Sequence, residues 1–370
     1  MNKKILKGGY TTGASAAAGV KAALIYFLQK KIVDEVEIIA LDGTILKIPI
    51  AKVENVGEKI SVEVVKDSGD DPDITNGTSI FTTTKIISGD EIIFRAGVGV
   101  GKITKPGLQL PVGEPAINPG PRQLIKNVAA EFGVKGLEVE ISIPAGVELA
   151  KKTLNPVLGV EGGISVIGST GVLRPMSEEA FKNSLVPQID VAKAAGFENL
   201  IFVPGKIGET IAKKIGLPSA AIIQTSNFIG FMLEKAAEKN ISQIILCGHI
   251  GKLVKVAAGN FHTHNRISDG RLETLAAYSA AEGLNSNEVK KILSAATTEE
   301  AAKIISENNL ERVYKKIAER ASFRAKRFVF EKIEVGTILV DYSGKILGAD
   351  DSAENICKNF GDGVKLFESE

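Results

Sequence analysis

From about residue 160 onward, short apolar runs alternate with Gly-rich turns and helical stretches, and this rhythm limits the fold more than any other feature. The apolar runs are GGISVIG (162–168), ENLIFVPG (198–205), SAAIIQTSN (219–227) and QIILCGH (243–249). Strands that are covered on both faces have this uninterrupted apolar character. Because helices separate the runs, the pattern predicts βαβ units and a parallel sheet.

The remainder of this half is predicted to be helical up to a final hairpin. The predicted helices are 177–196, 206–216, 228–240, 270–283, 286–295, 298–307 and 309–327. The closing stretch GTILVDYSGKILGAD (336–350) predicts two strands that turn at Ser343 and Gly344. We therefore expect a Rossmann-like α/β domain over residues 156–370, with a helical C-terminal portion and a terminal hairpin.

The N-terminal part has a different rhythm, with short, alternating, β-branched segments. They are VEIIAL (36–41), TILKIPI (44–50), SVEVVK (61–66), SIFTTTKII (79–87), EIIFRAG (91–97) and LEVEISIP (137–144). Helices are predicted over 12–30 and 121–133. Alternation of this kind is typical of half-buried strands. The pattern predicts an α+β domain over residues 1–155 with a mixed or antiparallel sheet.

Composition excludes several classes of protein. Lys and Arg total 45 and Asp and Glu total 44, so no net charge draws the chain to nucleic acid or to an anionic membrane. Trp is absent, which argues against a base-stacking surface. Apolar runs are shorter than the roughly 20 residues of a membrane span, and two cysteines are too few for a disulfide scaffold. We expect a soluble, cytoplasmic protein that can form a homo-oligomer.

Two stretches of the N-terminal domain are candidates for chemistry. In GGYTTGASAAAG (8–19), Thr11, Thr12 and Ser15 lie where a helix begins, and helix N-termini with hydroxyl donors favour anions. The alternative is a Thr cap on an Ala-rich helix that packs tightly. In KDSGDDPD (66–73), crowded carboxylates make Asp70 and Asp71 candidate proton acceptors. The alternative is an ordinary solvated turn.

Four loops of the second domain follow its predicted strands. They contain Gly168, Ser169, Thr170 and Gly171, then VPG (203–205), QTSN (224–227) and CGHIGK (247–252). Open α/β sheets bind ligands outside the carboxyl ends of their strands. Because small and polar residues lie in all four loops, we expect them to form one ligand crevice.

The stretch GNFHTHNRISDGR (259–271) contains His262 and His264, two of the three histidines of the chain. A His-x-His pair without a third fixed ligand is weak evidence for a metal, and we predict no metal site. The two imidazoles could bind a ligand or move a proton. An ordinary loop is the alternative.

Taken together, several long blocks resemble the CbiD family, the cobalt-precorrin-5B C1-methyltransferases of anaerobic cobalamin biosynthesis. The blocks are GYTTGASAAA (9–18), VKDSGDDPDIT (65–75), GVGVGKITKPGL (97–108), PVGEPAINPGPR (111–122), GISVIGSTGVLRP (163–175) and GKLVKVAAG (251–259). The resemblance runs in order from Gly9 to beyond Arg266. Ser15 departs from the pattern, because cysteine is expected there in many relatives.

The resemblance implies transfer of a methyl group from S-adenosylmethionine to C1 of cobalt-precorrin-5B, which gives cobalt-precorrin-6A. Cobalt would enter inside the corrinoid. On this basis we expect the cofactor on the strand ends of the second domain and the corrinoid between the domains. The expected cofactor-binding residues are Gly168, Ser169, Thr170, Gly171, Gly205, Asn227 and Gly248.

The corrinoid has several acetate and propionate arms, which need scattered cations and hydroxyl donors. The expected substrate-binding residues are Thr11, Thr12, Ser15, Lys105, Arg122, Arg174, Lys252 and Arg266. The candidate proton acceptors are Asp70, Asp71, His262 and His264. Methyl transfer to carbon needs aligned reactants rather than a nucleophilic side chain.

Two other functions stay open at this point. The N-terminal Gly-rich loop before a helix is similar to the phosphate loop of GHMP-type small-molecule kinases. A corrinoid-binding protein without catalytic activity is the second alternative, because methyl transfer needs no diagnostic nucleophile.

Overall fold

The chain forms two compact units, Met1–Glu178 (unit 1) and Glu179–Glu370 (unit 2). The computed structural model describes residues 6–361, 363–364 and 366. Within these residues, no helix combines the length and the apolar character that crossing a bilayer requires.

Unit 1 contains the first thirteen strands and the first four helices. The strands are β1 (Gly9–Tyr10), β2 (Glu35–Ile39), β3 (Ile45–Pro49), β4 (Lys52–Val56), β5 (Lys59–Val65), β6 (Ser79–Ile86), β7 (Ile92–Ala96), β8 (Gly99–Val100), β9 (Lys102–Ile103), β10 (Leu137–Ser142), β11 (Val160–Glu161), β12 (Gly163–Ile164) and β13 (Val172–Leu173). The helices are α1 (Thr12–Gln29), α2 (Pro119–Glu131), α3 (Gly146–Ala150) and α4 (Asn155–Leu158).

The main sheet of unit 1 is mixed, with strand order β4-β5-β6-β10-β7. Strand β10 is antiparallel to β6 and parallel to β7. Helix α1 packs against β5 and β6, and its small residues allow a close approach. A Cβ on Gly19 would come within 2.6 Å of the Thr82 hydroxyl, so the helix can lie this near the sheet only with glycine there. The mixed sheet agrees with the sequence prediction.

Unit 2 contains the remaining elements, arranged around one sheet. The helices are α5 (Glu178–Leu185), α6 (Pro187–Ala194), α7 (Lys206–Lys214), α8 (Ile229–Glu238), α9 (Ile250–Ala258), α10 (Arg271–Ala281), α11 (Ser286–Ser294), α12 (Thr298–Glu307), α13 (Arg312–Phe328) and α14 (Asp351–Lys358), with a 3-10 turn at Ser219–Ala221. The strands are β14 (Asn199–Val203), β15 (Ile222–Gln224), β16 (Gln243–His249), β17 (Glu334–Val340) and β18 (Ile346–Ala349).

The sheet of unit 2 has strand order β15-β14-β16-β17-β18. The first four strands in this order are parallel, and β18 returns antiparallel to β17 as the predicted hairpin. On one face, alternate residues such as Ile201, Val203 and Ile245 join a buried cluster with side chains of α7 and α14. The residues between them, such as Leu200 and Phe202, are also fully buried. Burial of both faces explains the uninterrupted apolar runs.

One predicted strand of the second domain is not part of this sheet. Of the run 162–168, only Gly163 and Ile164 form a strand, which pairs in parallel with β8 inside unit 1. The prediction that this run is a strand of the parallel sheet is therefore wrong, and the Gly168–Gly171 loop belongs to unit 1, whereas the four-loop crevice itself stays a prediction. Helices α9 and α14 were not predicted, although Gly259 ends α9 in the left-handed conformation that favours glycine (φ 96°).

Candidate functional site

The connections of the unit 2 sheet indicate where this kind of sheet would bind a ligand. From β14 the chain passes through α7 to β15 on one side, and then through α8 to β16 on the other side. The direction of winding thus reverses between β14 and β16. In open α/β sheets, ligands bind in the crevice outside the carboxyl ends of the strands at this reversal.

A pocket of about 270 Å³, which we name the switch-point pocket, opens at this position. It lies beyond the carboxyl ends of β14, β16 and β17. Its lining residues are Pro204, Gly205, Lys206, Ile207, Gly208, His249, Gly251, Lys252, Asn265, Arg271, Thr297, Thr298, Glu299 and Tyr342.

The first turns of four helices line the switch-point pocket, and Arg271 is the contribution of α10. The N-cap of α7 is Gly205, which has no side chain to cap the helix. The N-cap of α9 is His249, whose Nδ1 accepts a hydrogen bond from the Gly251 N–H at 3.1 Å. The N-cap of α12 is Thr297. Helix N-termini attract negatively charged groups, so the pocket suits a ligand with a carboxylate.

His249 has well-defined partners in the pocket. Its Nε2 lies 2.7 Å from Glu299 Oε1, and its ring stacks on Tyr342 with centroids 4.0 Å apart. Burial lowers the pKa of His249 below its ordinary value, although the Glu299 carboxylate acts in the opposite direction. With Nδ1 accepting from Gly251, the neutral ring carries its proton on Nε2, which faces Glu299.

The lowered pKa of His249 predicts a pH dependence of stability. The unfolded chain takes up a proton near the ordinary histidine pKa of 6.5, whereas the folded chain does so only at lower pH. The stabilisation is therefore complete above pH 6.5 and is lost as the pH falls through the folded pKa. We expect the urea midpoint of the wild type to fall more between pH 8 and pH 5.5 than that of His249→Gln. An equal fall in both proteins would contradict this assignment.

The three cations that line the pocket have partners. Lys252 Nζ donates to the Pro204 carbonyl at 2.6 Å, and burial followed by repulsion from Lys255 lowers the pKa of Lys252. Two further pairs are Lys206–Glu209 at 3.0 Å and Arg271–Asp269 at 2.9 Å. Because the lining residues also include the Glu299 carboxylate, the pocket offers groups of both signs to a zwitterionic ligand, with cations in excess.

Lys255 fixes the loop that brings Asn265 and Arg271 to the pocket. Its side chain is fully buried. Its Nζ donates to Asn265 Oδ1 at 2.6 Å and to the carbonyls of Thr263 and Ser268, each at 3.0 Å. Burial, followed by repulsion from Arg271, lowers the pKa of Lys255. A buried cation with three oxygen acceptors holds a loop firmly, because losing any partner would leave polar groups without bonds.

The predicted residues of unit 2 are distributed over two places. Gly205 and Lys252 line the switch-point pocket, and Gly248 packs beside it against Pro204. Asn227 does not line the pocket, and its carbonyl accepts the Thr263 N–H at 2.9 Å. The remaining three predicted residues lie on the loop that Lys255 holds and are also not lining residues; they are His262, His264 and Arg266.

In unit 1, the Gly168–Gly171 loop packs on the start of α1. The Thr11 N–H donates to the Gly171 carbonyl at 3.0 Å, and a Cβ on Gly168 would lie 2.2 Å from the Thr11 hydroxyl. Thr170 accepts the Leu41 N–H through its carbonyl, and Ser169 is exposed. The loop thus belongs to unit 1, whereas Gly205 and Gly248 belong to unit 2, and a cofactor site that they share stays a prediction.

The hydroxyl groups at the start of α1 form hydrogen bonds with backbone groups of unit 1. Thr11 Oγ1 caps the helix by accepting the Ala14 N–H at 3.2 Å. Thr12 Oγ1 accepts the Ile167 N–H at 2.9 Å, and Ser15 Oγ donates to the Thr11 carbonyl at 3.0 Å. All three residues are buried. This geometry matches the alternative of a capped, tightly packed helix, and we do not propose an anion site here.

The acidic loop holds backbone segments in place. Asp70 Oδ2 accepts the Lys7 N–H at 2.7 Å, and Asp71 Oδ2 accepts the Met176 N–H at 2.8 Å. Lys66, which is almost fully buried, donates to Asp73 at 2.9 Å. These bonds give Asp70 and Asp71 a structural role, whereas a role as proton acceptor stays a prediction.

The predicted cations of unit 1 differ in accessibility. Arg122 donates to the Ile117 carbonyl and to Glu114, each at 2.8 Å, so it fixes a turn. Lys105 is exposed and donates to the Val157 carbonyl at 3.2 Å. Arg174 is exposed and lies 3.5 Å from Asp42. Of these three cations, Lys105 and Arg174 can still meet a ligand.

Several lining residues of the switch-point pocket were not predicted. His249 lies within CGHIGK (247–252) and Arg271 within GNFHTHNRISDGR (259–271), so an ionisable side chain in a candidate ligand loop was the local signal for each. Glu299 and Tyr342 come from the start of α12 and the final hairpin. No local pattern marks these two residues, because only the sheet brings them beside Gly205.

Family models match two parts of the chain, CbiD over residues 1–175 and CbiD, C-terminal domain over residues 262–351. The cobalt-precorrin-5B C(1)-methyltransferase of Moorella thermoacetica is 46% identical over 360 residues, which are 96% of this chain and 98% of the relative. The protein of the same name from Methanocaldococcus jannaschii is 47% identical over 356 residues, 94% of this chain and 97% of the relative.

A solved structure, that of a cobalamin biosynthesis protein (cbiD) from Archaeoglobus fulgidus, is 27% identical to this chain. The match covers 69% of this chain and 81% of that chain, with a TM-score of 0.37. The sequence matches span nearly the whole chain at identities well above 30%. The chain therefore belongs to the CbiD family.

Proposed function

We propose that this protein transfers a methyl group from S-adenosylmethionine to C1 of cobalt-precorrin-5B, forming cobalt-precorrin-6A in anaerobic cobalamin biosynthesis. The support is membership of the CbiD family together with relatives that carry this enzyme name over nearly their whole length. The cytoplasmic location, the homo-oligomer, the absence of nucleic-acid partners and the domain boundary near residue 155 stay predictions.

S-adenosylmethionine binds in the switch-point pocket according to this proposal, and unit 2 acts as a Rossmann-like domain. The single observation that carries the assignment is the pocket at the carboxyl ends of β14 and β16, where the winding of the sheet reverses. The amino-acid end of the cofactor is a zwitterion, and the pocket lining contains cations, helix N-termini and the Glu299 carboxylate. The residues present therefore fit the cofactor.

Individual groups would have separate tasks. The backbone N–H groups that follow Gly205 at the start of α7 would hold the carboxylate of the cofactor. Glu299 would accept hydrogen bonds from hydroxyl or ammonium groups, and the stacked pair of His249 and Tyr342 would offer an aromatic surface.

The cofactor supplies an electrophilic methyl group. The chain supplies position, because holding two reactants in line lowers a barrier by up to about 7–11 kcal/mol. A partly buried pocket would also limit the access of water to the sulfonium of a bound cofactor. The proton acceptor stays unassigned among the four carboxylate and imidazole candidates.

Titration with S-adenosylhomocysteine tests the proposed cofactor site. We expect Glu299→Gln to weaken binding about tenfold, because it removes a charged acceptor from the pocket. Glu307→Gln is the matched control, since it lies at the exposed end of the same helix. Calorimetry of both variants provides the measurement. If Glu299→Gln and the control bind S-adenosylhomocysteine with equal affinity, the cofactor does not bind in this pocket.

Turnover is tested separately by anaerobic incubation with cobalt-precorrin-5B and labelled S-adenosylmethionine, followed by mass analysis of the pigment. A labelled C1-methylated product supports the proposal. Tight pigment binding without a labelled product would favour the non-catalytic alternative. Thermal stabilisation by ATP, but not by S-adenosylhomocysteine, would favour the kinase alternative.

A further inference from the structure

Unit 1 contains a cleft of about 600 Å³, which we name the N-terminal cleft. Its lining residues are Lys7, Gly8, Gly9, Tyr10, Ile45, Leu46, Lys47, Pro49, Ala51, Val65 and Asp67. The cleft is more than twice as large as the switch-point pocket. Its volume lies in the range of small-molecule sites, which is roughly 300–1,000 Å³.

One wall of the N-terminal cleft is apolar and accessible. Ile45 is 60% exposed and Val65 is 43% exposed, and Pro49 and Ala51 lie beside them. Large apolar side chains that line a concave surface lose contact with water when a ligand covers them. An apolar, ring-shaped ligand would thus be stabilised by this wall.

The floor of the cleft is rigid. Tyr10 is buried, and its hydroxyl donates to the Val65 carbonyl at 2.9 Å. Its backbone N–H donates to the Asp67 carbonyl, also at 2.9 Å. A Cβ on Gly9 would lie 2.4 Å from the same carbonyl, so the two backbones are in direct contact. Because these groups are already fixed, a ligand would bind without ordering the floor.

Two lysines at the cleft can exchange their partners for a ligand. Lys7 lies 2.8 Å from Asp67, and Lys47 lies 3.6 Å from Glu37. Both ion pairs are exposed, and exposed pairs contribute little to stability. A carboxylate-bearing ligand could therefore take either ammonium group as a partner at small cost.

We infer that the N-terminal cleft binds the tetrapyrrole macrocycle of the substrate, with the ring on the apolar wall and carboxylate arms on Lys7 and Lys47. This inference rests on the proposed function, which supplies a polycarboxylate macrocycle as the substrate. It adds a binding surface that differs from the eight substrate residues predicted from the sequence. The apolar wall and the two cations match the two chemical parts of that ligand.

A stable corrinoid with free carboxylates, cobyrinic acid, serves as the probe. We expect Lys47→Glu to weaken its binding about tenfold at low salt, and Lys7→Glu together with Lys47→Glu to weaken it further. Equilibrium dialysis followed by visible absorbance measures the bound pigment, since the chain has no Trp for fluorescence. Lys52→Glu is the matched control, because Lys52 is an exposed lysine on β4, the next strand along the chain, and does not line the cleft.

Two further measurements make the result specific. The neutral heptamethyl ester of cobyrinic acid should bind equally to the wild type and to Lys47→Glu, because it has no charged arm. Ile45→Glu should weaken binding of the ester as well, since the substitution places a charge on the apolar wall. Unchanged affinity of Lys47→Glu and Ile45→Glu for cobyrinic acid would overturn the inference.

The outcomes also separate this inference from the proposed function. If the wild type forms the methylated product and Lys47→Glu has an unchanged KM for the corrinoid, the cleft assignment fails and the function stands. If the wild type forms no product but the lysine variants still bind cobyrinic acid more weakly than the wild type, the proposed function fails and the cleft is a corrinoid-binding site. Binding of S-adenosylhomocysteine should be unchanged in Lys47→Glu, which shows that the variant is folded.

Discussion

Gly208→Ala is expected to destabilise unit 2 by about 3 kcal/mol, because a side chain at this position meets backbone atoms that cannot move aside. A Cβ on Gly208 would lie 2.1 Å from the Cys247 carbonyl oxygen and 3.0 Å from Gly248 Cα. Helix α7 would have to separate from strand β16, which would also deform the switch-point pocket. Thermal melting should show a decrease of about 6–12 °C in Tm, and S-adenosylhomocysteine binding should be lost.

Gly205→Ala is the matched control for this substitution. Gly205 is the N-cap of α7, three residues before Gly208, and a Cβ there would have no atom within 4 Å. Its φ of −177° is ordinary extended backbone, so alanine introduces no strain. We expect a Tm close to that of the wild type. If Gly208→Ala has the same Tm as Gly205→Ala, helix α7 does not lie this near strand β16.

Lys255→Met is expected to cost about 3 kcal/mol of stability and to reduce S-adenosylhomocysteine affinity more than tenfold. Methionine fills part of the space, but Thr263, Asn265 and Ser268 lose the donor that joins them. The loop that carries Asn265 and Arg271 to the switch-point pocket would then lose its anchor. Urea denaturation and calorimetry measure the two effects.

Lys290→Met is the control, because Lys290 is an exposed lysine on α11. It should change stability by less than about 0.5 kcal/mol, as is usual for exposed positions. Lys255→Arg, which keeps the charge, should recover part of the binding. If Lys255→Met binds the ligand normally despite a lower stability, the lysine supports the fold but does not position the pocket.

The helices and strands themselves followed from local patterns in most cases. The helices predicted over 270–283, 286–295 and 298–307 correspond closely to α10, α11 and α12. Their amphipathic spacing and their Asn285 and Thr297 caps are local signals. The α+β character of unit 1 likewise came from alternating segments that all contain strands.

The run 162–168 shows where local reading fails. Its apolar residues are typical of a buried strand, and Val166 is indeed fully buried. However, Val166 forms a bridge with Ile117 and hydrogen bonds with loop residues of unit 1 instead of joining a parallel sheet. Burial is visible in the sequence, whereas the partner that causes the burial is not.

The sequence by itself determined the family, the alternation of helices and strands in unit 2, and the position of Gly205 and Lys252 beyond the carboxyl ends of their strands. Those properties depend on residues that are close in the chain. Only the tertiary structure decided that Glu299 and Tyr342 join them, that Lys255 is a buried anchor, and that Thr11, Thr12 and Ser15 have partners inside unit 1. The physical reason is that hydrogen-bond partners and cavity walls are set by long-range packing, and local propensity contains no information about a contact partner that is distant in the chain.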